Sequence, residues 1–320
     1  SDINIKALRS LPLIIFITDK DFNITYKNTN FDITTFRKDI KYEDNRLPVK
    51  IKYIRSIKKD LLRRDFTINT ICMDKDGNIL DYLEAKPDLE KRIIKTVGNP
   101  RYRLKEDSLR ILRAIRFATI LDFDIDAKTS HYLTEYAYLL KKLSYQRKKQ
   151  ELDKIFTSPE KEKGIKLLVD LKIAGHLQIP NLKDITPCDD LIGIWAQANV
   201  DDIYPFTKVE KNQMKQIREL LTLDIDNPYN LYKYGLYTAT VAYQIKQKSI
   251  SSLNKLYNNL PIHSTKDIAL RASDIAHLLN QAPGNYLKEI MNDLEKQILY
   301  NKLPNEKEKL EKYIIETYKK

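Results

Sequence analysis

Arg63-Arg64-Asp65-Phe66-Thr67-Ile68-Asn69-Thr70 stands where the chain changes character. Ahead of it, residues 1–55 carry strand patterns. Leu13-Ile14-Ile15-Phe16-Ile17-Thr18 is a short, β-branched apolar run, Asn23 to Thr34 alternates loosely, and Val49 to Tyr53 alternates again. From about Ile57 onward apolar residues recur at i, i+3 and i+4. The Asp74-Lys75-Asp76-Gly77-Asn78 cluster predicts a hairpin link before Ile79-Leu80-Asp81-Tyr82. After Asn99-Pro100 the pattern is helical almost to the end. Pro180, Pro187, Pro205, Pro228, Pro261, Pro283 and Pro304 fall between periodic segments, and Asn305 to Lys320 reads as one amphipathic helix. Seven glycines in 320 residues leave little room for a loop-rich fold. The layout is α+β: a small sheet domain in front and a long helical remainder.

The octapeptide itself sets two guanidiniums beside an Asp, a Thr and an Asn. These are phosphate donors next to groups able to grip a ribose hydroxyl. Alone, a solvated helix start explains it equally well. Downstream, Asp107, Arg110, Arg113 and Arg116 in Lys105-Glu106-Asp107-Ser108-Leu109-Arg110-Ile111-Leu112-Arg113-Ala114-Ile115-Arg116 are spaced by three, so on an α-helix they fan around one flank. A carboxylate and a guanidinium one turn apart can read the Watson–Crick edge of a base as a partner base would. The spacing by itself favours an ordinary ion pair on a solvated helix.

Lys+Arg exceed Asp+Glu by 56 to 44, for a net charge of +12 and a pI near 9.3. That excess suits a polyanionic partner, although an AT-rich coding sequence accounts for it as readily. Cys72 and Cys188 form no CxxC pattern, which fits a reducing cytoplasm and suggests neither a disulfide framework nor a zinc site. No run of 18 apolar residues predicts a membrane span. Lys141-Lys142 and Arg147-Lys148-Lys149 read equally as an RNA path or a charged helix face. Trp195 reads as core, and His131, His176, His263 and His277 are scattered without an adjacent Asp.

Taken in order, Arg63 to Asn69, Asp81, Val97-Gly98-Asn99-Pro100 and Glu106-Asp107-Ser108-Leu109-Arg110 resemble the motifs of the bacterial and eukaryotic class (class II) of CCA-adding tRNA nucleotidyltransferases and their poly(A) polymerase relatives. Thr34-Thr35-Phe36-Arg37 with Tyr42, Arg46 and Pro48, and Arg147 through Glu151-Leu152, extend the likeness from Asp2 to about Phe156. The resemblance implies a polymerase-beta-like nucleotidyltransferase sheet domain as head (1–98), a nucleotide-selecting neck (99–158) and a helical, tRNA-binding body and tail (159–320). It implies addition of CCA to the 3′ end of tRNA from CTP and ATP with Mg²⁺. Arg64 would contact the nucleotide phosphates, Asp65 and Asn69 the ribose, and Asp107 with Arg110 the base, with Arg113 and Arg116 as further nucleotide contacts. The catalytic, metal-holding Asp-x-Asp of the family is matched by Asp2 and Asn4 in Ser1-Asp2-Ile3-Asn4-Ile5, and Asp32 reads equally as a third catalytic carboxylate or as a turn or strand-end Asp. Asn has an oxygen ligand but no charge, so metal affinity is expected to fall. The glycine-rich segment that precedes this motif in the family is not present, and the chain opens on Ser, so a truncated head is expected. Phe36 to Tyr53 resembles the flexible loop of complete CCA-adders. The alternatives are a poly(A) polymerase, a partial CC- or A-adding enzyme, or an inactive RNA-binding relative. Nothing in the sequence sets an oligomeric state.

Overall fold

The computed structural model describes residues 22–26, 29–33, 36–42, 48–74 and 76–319, with side chains described at 36, 37 and from 52 onward. Asp2, Asn4 and the Leu13–Thr18 run therefore lie outside the described residues, and of Asp32 only the backbone is described. The chain divides into two compact units: 1–184 with 203–205, and 185–202 with 206–320.

The first unit opens with two antiparallel hairpins. β1 (Phe22–Tyr26) pairs with β2 (Thr29–Ile33), Asn23 opposite Asp32, so the loosely alternating stretch carries two paired strands. β3 (Arg37–Tyr42) pairs with β4 (Pro48–Tyr53). The segment likened above to a flexible loop thus carries a hairpin with register shifts near Lys41. A short helix α1 (Ile57–Leu61) follows, then a 3-10 turn at Thr67–Thr70. β5 (Cys72–Met73) and β6 (Ile79–Leu80) form the hairpin that the Asp74–Asn78 cluster predicts, with Asp74 accepting from the backbone N–H of Asp76 and Asn78. Asp81 accepts from Ala85 and Lys86 N–H and so starts α2 (Lys86–Glu90). β7 (Ile93–Ile94) leads to Gly98 at φ +72°, a conformation that costs glycine little. Asn99 then caps α3 (Pro100–Glu106), with Pro100 in the first turn, where a missing N–H costs nothing.

The central helix α4 (Leu109–Ile120) buries Ile111, Leu112, Ala114, Ile115 and Ala118. It is followed by β8 (Asp124–Ile125), which pairs in parallel with β7, and by α5 (Ala127–Glu135), α6 (Tyr145–Phe156) and α7 (Lys161–Asp170). α4 packs against α6 and α7, and Gly164 permits the close approach. A Cβ there would lie 2.4 Å from Ile155 Cγ2 and 2.7 Å from Thr119 Oγ1. Gly164→Ala should gain about 1 kcal/mol of helix propensity and lose more to overpacking, of order 1–3 kcal/mol. A lower urea midpoint is expected, and an unchanged or higher one would show that the neighbouring helices yield at no cost.

The second unit contains α8 (Leu191–Ala198), α9 (Lys208–Leu221), α10 (Pro228–Ile245), α11 (Ile250–Asn258), α12 (Ala272–Leu279), α13 (Tyr286–Leu299) and α14 (Lys307–Tyr318). Trp195 is fully buried against Phe206, as the apolar run around it predicts. A further cluster runs from Leu220 through Leu231, Leu253 and Ile275 to Leu294 and Ile314. α10 is broken at Gly235, whose φ of +76° and ψ of 169° are non-helical. Among the described residues, no helix is long and apolar enough to cross a membrane.

Candidate nucleotide site

The site lies in the first unit, where the loop after α1 meets the start of α4. Asp65 is nearly buried. It accepts from its neighbour Phe66 N–H (2.9 Å), from Asn69 Nδ2 (2.9 Å) and from Arg113 Nε (2.7 Å). Burial pushes its carboxyl up, but the Arg113 guanidinium and the three hydrogen bonds outweigh that and hold it below the usual carboxylate range. Arg64 donates to Asn69 O (2.6 Å) and keeps more than a third of its side chain exposed. Four of the residues singled out above, Arg64, Asp65, Asn69 and Arg113, therefore form one connected group, with Arg113 arriving from 48 residues downstream.

The helix start departs from the expected fan. Asp107 is not helical (φ −143°, ψ 106°). It ends α3 and accepts from Leu109 N–H (3.0 Å) at the start of α4, with Arg147 Nη2 3.9 Å away. A three-residue period cannot reveal this break, because Glu106-Asp107-Ser108 contains neither Gly nor Pro. The fan begins at Arg110, and the carboxylate Arg110 meets is Glu106 (2.9 Å), not Asp107. Arg110 also donates to Arg103 O (2.7 Å) and Arg63 O (3.3 Å). Arg116 turns away from this group. It is buried, stacks 4.3 Å over the Phe117 ring and faces Glu151 at 3.3 Å. Burial pushes the Arg116 guanidinium down, against the pull of Glu151.

One residue was not singled out in the sequence, and another lies elsewhere than its charge suggests. Asp60, 2% exposed, accepts from Arg37 N–H (3.0 Å) and from Arg63 Nε and Nη2 (2.9 and 2.7 Å), and lies 3.6 Å from Arg64 Nη2. Its i, i+3 and i, i+4 spacing to Arg63 and Arg64 was the available signal. Lys148 is buried, with its Nζ 4.3 Å from the centre of the Tyr145 ring, and burial lowers its pKa. It belongs with Glu151, Leu152 and Ile155 on the inner face of α6, so it lines no open path, unlike the reading of Arg147-Lys148-Lys149 as a surface run. Lys149 pairs with Asp153.

Among the described residues, no three His, Cys, Asp or Glu side chains converge as a metal cluster. Asp60, Asp65 and Glu151 all face guanidiniums, a donor set made for ion pairs rather than for a divalent cation.

In the first unit an arginine-rich loop is joined through the buried Asp65–Arg113 ion pair to α4, and the family comparisons place this arrangement in a nucleotidyltransferase. Residues 13–95 match the model of the poly A polymerase head domain, residues 122–186 that of a probable RNA and SrmB-binding site of polymerase A, and residues 199–314 that of tRNA nucleotidyltransferase domain 2 (putative). The CCA-adding enzyme of Bacillus cytotoxicus is 31% identical over 89% of this chain and 80% of its own length. That of Anoxybacillus flavithermus is 31% identical over 90% and 79%. The crystal structure of the Bacillus stearothermophilus CCA-adding enzyme in complex with CTP shares the fold, with a TM-score of 0.81 at 22% identity, over 93% of this chain and 81% of that one. The chain belongs to the family of CCA-adding enzymes.

Proposed function

We infer that this protein adds C, C and A to the 3′ end of tRNA from CTP and ATP without a nucleic-acid template. The observation that carries the reading is the connected group of Arg64, Asp65, Asn69 and Arg113 set beside Asp107 and Arg110, in a chain whose relatives are CCA-adding enzymes over about nine-tenths of its length. The half-exposed Arg64 takes the triphosphate, Asp65 with Asn69 the ribose, and Asp107 with Arg110 the base. Arg113 holds Asp65 ionised, and Arg116 supports the site through Phe117, whose ring both arginines approach. Residues 1–98 serve as head, 99–158 as neck and 159–320 as tRNA-binding body and tail, in a cytoplasmic enzyme. Mg²⁺ belongs to this reading: Asp2 and Asn4 would hold it, Asp32 would assist as a further carboxylate, and when bound the ion supplies charge neutralisation at the triphosphate.

The test is extension of a tRNA lacking its CCA, resolved to single nucleotides, with CTP, ATP and Mg²⁺. Addition of C, C and A followed by a stop is expected. A long A ladder would make the protein a poly(A) polymerase, and one or two additions a partial adder. Bound but unextended tRNA would favour a non-catalytic RNA-binding role.

A further inference from the structure

The loop that carries Arg64 and Asp65 is gripped from two sides. Its side chains are held from below, where Asp60 takes Arg63 and approaches Arg64. Its backbone is held from the other side by two arginines far along the chain. Arg103 Nη2 donates to Leu62 O (2.9 Å) and Arg64 O (2.5 Å), and Arg110 Nη2 donates to Arg63 O (3.3 Å). Three successive carbonyls just past the end of α1, groups no helix turn satisfies, are thus taken by two guanidiniums. Those two guanidiniums are like charges largely removed from solvent, their side chains 12% and 7% exposed. Glu106 joins them: its Oε2 accepts from Arg103 Nη1 (2.5 Å) and from Arg110 Nη1 (2.9 Å). Charge-assisted bonds of this length are among the stronger ones available to side chains.

Glu106 directly precedes Asp107. Through Arg103 and Arg110 the same residue therefore anchors the loop assigned to phosphate and ribose, and as the last residue of α3 it stands next to the residue assigned to the base. We propose that Glu106 is a positioning residue: with Arg103 and Arg110 it forms a clamp that sets the distance between the sugar–phosphate loop at Arg64-Asp65 and the base-reading edge at Asp107-Arg110. A nucleotide bound to both must span that distance, so the clamp decides how well a cytosine or adenine reaches Asp107 while its triphosphate lies on Arg64. This inference rests on the assignment of CTP and ATP to the site and names the element that holds the site's two halves in register. Misplacement of a binding group by about 1 Å costs of order a hundredfold in favourable cases, so a partly relaxed clamp has a readable effect.

The experiment compares the wild type with Glu106→Gln, Glu106→Asp and Arg103→Lys in tRNA extension with each of the four nucleoside triphosphates, alongside thermal unfolding. Glu106→Gln keeps the shape and one acceptor oxygen but removes the charge between the arginines. KM for CTP and ATP is expected to rise by roughly tenfold with kcat at saturation little changed, the mark of lost nucleotide binding. The preference for C and A over U and G is expected to fall by a similar factor. Glu106→Asp, which restores the charge, should recover part of both. If Glu106→Gln does not fold, Arg103→Lys reads the same property, because an ammonium cannot hold two carbonyls and Glu106 in one plane. A lower unfolding temperature with KM and base preference unchanged, in whichever variant folds, would make the cluster a helix cap and overturn the proposal. A wild type that shows no preference for C and A would overturn the nucleotide assignment, and the clamp with it. A selective wild type with equally selective variants would overturn the clamp alone.

Discussion

Asp65→Ala should cost about 3–5 kcal/mol of stability, the usual result of removing one partner of a buried ion pair, and roughly a hundredfold or more in nucleotide addition. The stability loss follows from what the carboxylate holds. It accepts from Phe66 N–H, Asn69 and Arg113, and no side chain at Ala could satisfy any of them. The activity loss follows from position, because Asp65 fixes both Asn69 and Arg113 where the ribose is assigned. Asp65→Asn should cost less, since its amide oxygen can still accept, and the pair of variants separates charge from shape. The pH dependence has a definite sign. The carboxyl is held below its unfolded value of about 3.9, so its contribution is fully present above about pH 4 and is lost as pH falls through the depressed folded value. The gap in urea midpoint between wild type and Asp65→Asn should therefore be constant from neutral pH to about 4 and shrink below it. A gap that stays constant into stronger acid would mean that Asp65 titrates alike in the folded and unfolded chain, and that Arg113 contributes packing rather than charge.

The parts of this molecule legible in the sequence are those set by local pattern. The change from strands to helices, the hairpin at Asp74–Asn78, the capped helix after Asn99-Pro100 and the C-terminal helix at Lys307–Tyr318 all follow from turn chemistry and periodicity. The site was legible as a set of residue types but not as a set of partners. Asp65 finds Arg113 48 residues away, and Arg103 reaches Leu62 O across 41; such pairs are decided by how helices pack, which no local spacing encodes. The same limit explains Arg110. Sequence spacing pairs it with Asp107 one turn earlier, yet the helix breaks between them because the Asp107 side chain itself satisfies Leu109 N–H. Glu106, at i, i+4 to Arg110, is left as the geometric neighbour. Lys148 was misread for a related reason: charge suggests a surface, but the helical phase shared with Leu152 and Ile155 carries it inside, where the Tyr145 ring takes the place of solvent.

That break at Asp107 changes what base selection should depend on. Arg110 spends donors on Arg63 O, Arg103 O and Glu106, all within the protein. Asp107 commits one oxygen, Oδ1, to Leu109 N–H and the neighbourhood of Arg147, and its other oxygen has no partner among the described residues. Cytosine and adenine both present an amino group on the Watson–Crick edge, whereas uracil and guanine present a carbonyl at the corresponding place. An open carboxylate oxygen accepts from the first pair and repels the second, so Asp107 should carry more of the discrimination than Arg110. Asp107→Ala is expected to lower stability by only about 1 kcal/mol, the cost of a helix-start cap, while the preference for C and A over U and G falls by roughly a hundredfold. Asp107→Asn sharpens the test. Its amide retains an oxygen for Leu109 N–H and turns an N–H₂ outward, which can donate to a carbonyl, so incorporation of U or G should rise above the Asp107→Ala level. Incorporation at single-nucleotide resolution with each triphosphate reads both effects, and urea melts of the same variants read the cap. Were Asp107→Asn to keep the wild-type preference while showing the same small loss of stability, Asp107 would be a helix cap alone, and the choice of base would have to come from the shape of the site that Glu106, Arg103 and Arg110 enclose.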